Sequence, residues 1–284
     1  MTSTPHSETP VDYYELTAQR KAGTGAPRAR TFFGVAQAIS DGLSVPPLRH
    51  SVTGPRLAEF SEQAIEAWFT ALEQLAKDGK SNPWGLTNRS RDSRIDLFYN
   101  CYQLPFPTEE VQFTLPKQVQ LDPLLSTFER ICVEFEPFYA YTLDRRLQKL
   151  HGRRERYYQM RLEITPPKEH SQIPKPIPIE GVVDTLPPLL FQQEIDRVQV
   201  PEGVWWINFW TPTQVENVGV ERVRNAGWSR IIERPAGFLL VATEEPTSVY
   251  NSAHLAKLGE MVEALNLKEV QEQYRVRPHW YRRR

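Results

Sequence analysis

The chain has 284 residues, 40% of them hydrophobic and 24% charged, a length and composition that support a sizeable buried core and exclude a disordered chain. Its 34 basic and 35 acidic residues leave a formal charge of −1, so no global field draws in nucleic acid or an anionic membrane, and any charge-based recognition is local. Prolines number 24 against 14 glycines; proline lacks an amide donor and fixes φ, which predicts many irregular connections around modest secondary structure.

Residues 1–30 are polar, hold Gly23, Gly25 and Pro27, and contain one short apolar stretch, Val-Asp-Tyr-Tyr-Glu-Leu. The expectation is a flexible N-terminal arm ahead of a single domain over 31–284. The first ten residues show neither a basic nor an apolar signal region, and no apolar run approaches the roughly 20 residues of a membrane helix, which predicts a cytoplasmic protein. Thr31 to Ile39 reads as a strand or a short helix, and Asp41 to Pro55 as turns. From Pro55 to Lys77 the apolar residues Leu57, Phe60, Ala64, Ile65, Trp68, Phe69, Leu72 and Leu75 recur at three- and four-residue spacings, predicting a helix stopped at Asp78-Gly79.

Ile95, Leu97, Tyr99 and Cys101 alternate through a predicted strand over 94–103, and 111–115 repeats the pattern, which suggests a meander. Asp122, with Pro123 at the first helical position, opens a helix carrying Leu124, Leu125, Phe128, Ile131, Cys132 and Phe135 on one face, and Pro137 halts it. Residues 138–143 read as extended. The stretch 145–161 carries seven basic residues and 166–178 five prolines, predicting a basic surface segment and then an extended connection.

Gly203 to Trp210 reads Gly-Val-Trp-Trp-Ile-Asn-Phe-Trp, a composition suited to a central strand. Strand alternation sends Trp205 and Trp206 to opposite faces, which favours core packing over an aromatic platform for sugar or peptide. A helix over 212–226 closed by Gly227, two strands over 228–234 and 237–243 around Pro235-Ala236-Gly237, and helices over 252–265 and 268–274 complete the chain. The fold class expected is α+β: one domain, a mostly antiparallel sheet packed with about four helices, its strand order open.

Chemistry is sparse. The six histidines never fall at HxxxH spacing, and Cys101 and Cys132 lie in apolar contexts that predict buried free thiols, so no metal or cofactor is expected. GxGxxG, GxxxxGKS/T and GxSxG are missing from the sequence, which leads to the expectation that the chain is not an enzyme; a dispersed active site is one alternative. A nucleic-acid contact through 145–161, where Tyr157 and Tyr158 interleave the basic residues, is a second. The balanced charge of the whole chain favours a solvated, salt-bridged segment there.

The run from Pro201 to Pro212, followed by a helix, Gly227-Trp228 and the 237–243 strand, resembles bacterial immunity proteins of polymorphic toxin and type VI secretion systems. In that family a Trp-Ile-Asn-Tyr/Phe strand precedes a short helix and a two-strand return. The resemblance spans about residues 180–270; Phe209 stands where tyrosine is frequent, and the proline-rich middle has no counterpart. It implies a cytoplasmic antidote that binds a cognate protein toxin, often a restriction-endonuclease-like nuclease, and blocks it stoichiometrically. The motif residues carry over as core candidates. A nuclease presents a basic cleft, so acids on this chain would speed encounter, and Glu134, Glu136, Asp144, Glu244 and Glu245 are the candidate partner-binding residues.

Overall fold

In a computed structural model that describes residues 14–51, 57, 59–77, 84–89, 94–102, 107–115, 120–144, 189–190, 194–247 and 251–276, sixteen elements follow one another. They are β1 (Tyr14–Lys21), α1 (Arg28–Gly42), β2 (His50–Ser51), α2 (Glu62–Lys77), β3 (Trp84–Thr87), β4 (Asp96–Tyr102), β5 (Thr108–Thr114), α3 (Leu121–Phe135), β6 (Tyr139–Asp144), β7 (Ile207–Trp210), α4 (Pro212–Val218), α5 (Val220–Asn225), β8 (Arg230–Arg234), β9 (Gly237–Val241), α6 (Ser252–Ala264) and α7 (Leu267–Gln273). The strands form one antiparallel sheet in the order β2-β3-β4-β5-β1-β6-β7-β9-β8. The expected α+β class, with an antiparallel sheet and helices on it, is the observed one.

The sheet separates two cores. Leu16, Ala18, Trp206, Ile207 and Phe209 point to a near face that packs with α1, α2 and α3. Tyr139, Tyr141, Leu143, Trp205 and Trp210 point to a far face that packs with the 195–204 segment and α4 to α7. Trp205 and Trp206 therefore sit in different cores, at 3% and 0% exposure; both precede β7, and Trp206 shares its core with the adjacent Ile207, so the loop into β7 and not strand alternation sets their faces.

Several elements differ from the sequence-based expectation. From Tyr14 on, the expected flexible arm is instead a strand in the middle of the sheet, flanked by β5 and β6. Its alternation of Tyr14, Leu16 and Ala18 against Glu15, Thr17 and Gln19 is a weak apolar signal, and pairing on both sides is what buries it. Residues 28–42 are helical, which resolves the ambiguity at Thr31 to Ile39. The helix expected from Pro55 starts at Glu62, because the Ser61 hydroxyl accepts from Ala64 N at 3.2 Å and caps it there. In α3 the N-cap is Gln120 and not Asp122, which places Pro123 third, still among the first-turn residues whose N–H has no helical partner.

The helix expected over 212–226 is two. Thr211 opens α4 with a capping box shared with Gln214, and Gly219 at φ +105 breaks the run before α5. Gly227, at φ +84, ends α5 as a C′ glycine. Cys101, next to last in β4, is an exposed free thiol rather than a buried one, while Cys132 is buried and free. The basic 145–161 stretch and the proline-rich 166–178 stretch lie outside the described residues.

The β8–β9 hairpin turns through Pro235 and Ala236 onto Gly237, whose φ of +154 an L residue rarely adopts. A Cβ there would overlap the carbonyl oxygen of Trp210 and lie 2.8 Å from the Phe209 ring. The first neighbour is backbone inside the sheet and has no room to yield. Gly237→Ala is expected to cost about 2 kcal/mol, measured as a lowered urea midpoint; a midpoint within error of wild type would refute the close approach.

Candidate functional site

The Trp-Ile-Asn-Phe segment is built into the centre of the molecule. Asn208, at 0% exposure, accepts from Trp205 N through Oδ1 at 2.9 Å and donates through Nδ2 to Trp205 O at 2.8 Å. Its side chain thus closes a three-residue loop that delivers the chain into β7. Trp205 Nε1 donates to the Tyr139 hydroxyl at 2.9 Å, and Tyr139, Tyr141 and Trp205 stack in sequence with ring centroids 5.1 and 5.7 Å apart. On the other face Trp206 Nε1 donates to Thr243 O at 3.0 Å and meets the Tyr14 ring edge-on at 5.7 Å. Burial pushes the Tyr139 and Tyr141 hydroxyls well up, so both stay protonated as neutral partners of the core.

A polar network ties this segment to the rest of the sheet. Gln214, the N3 residue of α4, donates from Nε2 to Arg197 O at 2.6 Å, and the buried Arg197 guanidinium donates to Gln19 Oε1 of β1 at 2.6 Å. Gln19 in turn donates to Glu110 Oε2 of β5 at 2.7 Å. On the near side Arg20, 2% exposed, pairs with Glu109 at 2.6 Å, donates to Thr31 of α1 at 3.2 Å and lies over the Phe135 ring at 4.9 Å. None of these groups stands out in the sequence. Arg20 faces Glu109, and Gln19 faces Glu110, only because β1 and β5 pair in that register.

Four of the five acids singled out from the sequence are surface groups, in two places. Glu134 and Glu136 are both exposed at the C-terminal end of α3. Glu134 lies against Gly34 of α1, where an added Cβ would strike its carboxylate. Glu136 closes α3 at φ +50, and its carboxylate sits beside Gly25. Glu244 and Glu245 are exposed just after β9. Arg230 donates from Nε to Glu244 Oε1 at 3.0 Å and also pairs with Asp122, at the N-terminal end of α3. These hydrogen bonds lower the Glu244 carboxyl and raise the Arg230 guanidinium.

The two acid pairs are thus at opposite ends of α3, about 22 Å apart at 1.5 Å per residue. They do not converge on one site. Asp144 is the last residue of β6, opposite Tyr14. The edge strand β8 carries further charge: Arg234 pairs with Glu129 of α3 at 2.8 Å, and Glu233 with Arg224 of α5 at 3.1 Å. Charges of this kind guard a sheet edge against pairing with other chains.

Burial raises the Cys132 thiol well above its ordinary range and also raises Cys101, which disfavours the thiolate in both. Among the described residues no cluster of three His, Cys, Asp or Glu is placed to hold a metal, and no helix is long and apolar enough to cross a membrane. The described parts make a densely packed, internally hydrogen-bonded scaffold with a charged exterior.

No family model and no curated protein matches the chain. Among solved structures it is similar to the Pseudomonas aeruginosa T6SS protein PA0821, with a TM-score of 0.50 and 11% identity over 90% of this chain and 73% of that one. At that identity the likeness is one of fold.

Proposed function

We propose that this chain is a type VI secretion-related immunity protein, a cytoplasmic antidote that binds a cognate toxin and neutralises it one to one. The observation that carries the reading is the placement of the Trp-Ile-Asn-Phe strand. It is buried between β6 and β9 and leads into a capped short helix and a two-strand return, the layout of the immunity family it resembles. The fold likeness to a T6SS protein supports the secretion-system context. A stoichiometric inhibitor needs a scaffold that does not deform on binding, because rigidity lowers the ordering cost of association. The doubly packed sheet and its buried polar ties supply that scaffold.

On this reading the toxin is a protein with a cationic cleft, a nuclease of the restriction-endonuclease type being the class implied by the resemblance. Co-expression with the product of the adjacent gene tests it. A one-to-one complex in which the toxin's activity is lost is the expected result, while no complex and no protection of cells overturns it.

The two acid pairs can be assayed separately. Reversing Glu134 with Glu136, or Glu244 with Glu245, to lysine is expected to slow association about tenfold at low salt in at least one case. Stopped-flow association rates across a salt series provide the readout. Unchanged rates for both double variants would remove these acids from the interface.

A further inference from the structure

We draw no further inference here: the strongest candidate, the polar far face of β4, β5 and β1 on which Gln19 and Asn100 hydrogen-bond the Glu110 carboxylate and Gln112 that of Glu15, carries nothing because, beyond Arg197 over Gln19, nothing among the described residues shows what covers it.

Discussion

Replacing Asn208 with alanine is expected to lower the unfolding free energy by about 3 kcal/mol, seen as a reduced urea midpoint with the slope unchanged. Asn208 is wholly buried in β7, and it serves Trp205 twice, accepting from its N–H at 2.9 Å and donating to its carbonyl at 2.8 Å. Nδ2 also reaches Leu240 O of β9 at 3.4 Å. Alanine strands the Trp205 N–H and carbonyl where water does not reach, and each such group costs about 1–3 kcal/mol. A loss below about 1 kcal/mol would mean that both groups had found other partners.

Asn208→Asp separates the bonding from the packing, since the shape is kept. One carboxylate oxygen still accepts from Trp205 N, but the other now faces two carbonyl oxygens without a proton to give them. Burial and those carbonyls would raise the carboxyl above its unfolded value of about 3.9. A carboxyl raised in the folded state binds its proton more tightly there than in the unfolded chain. Its stabilising effect is therefore full below the unfolded value and is lost as pH rises through the folded one. The aspartate variant is expected to lie nearer wild type at pH 4 than at pH 7, and a gap that widens on acidification would contradict the hydrogen-bond account.

Trp206→Ala is expected to cost about 4 kcal/mol, within the range for deleting a large aromatic side chain from a core. Trp206 is at 0% exposure and joins three parts of the near side. It lies on the approach to β7, it meets Tyr14 of β1, and its indole donates to Thr243 just after β9. Trp206→Phe keeps an aromatic ring in the site but leaves the Thr243 carbonyl without that donor, for an expected loss of about 1–2 kcal/mol. Equal losses in the two variants, measured by chemical denaturation, would show that the hydrogen bond outweighs the packing.

These two residues explain why a short motif is readable in the sequence and yet is not a binding site. Tryptophan, isoleucine and asparagine stand together in this chain because one strand fills a core on each face while its entry loop is closed by a side-chain amide. Such a requirement lies within four residues and leaves a local trace. The charged groups leave no comparable trace of their grouping. Glu136 and Glu244 are 108 positions apart, and only the packing of α3 near the edge of the sheet shows that they mark its two ends. Arg20 and Arg197 look like ordinary surface cations in the sequence, yet both are almost wholly buried, because their partners come from strands far away in the chain.

The sequence by itself determined the class of fold, the helices α3 and α6, the strands β4 to β7 and the β8–β9 hairpin. Each depends on a period of 3.6 or 2.0 residues, or on a proline or glycine whose backbone limits act within a few positions. Only the tertiary structure decided that Tyr14–Lys21 is a central strand, that α2 begins at Ser61's cap and that Gly219 splits a helix. It also decided which acids and bases meet. Strand order and register are set by partners that lie about 90 residues on in the case of β1 and β5, and a pairing at that separation is selected by the packing of whole faces, for which no local pattern in the chain is required.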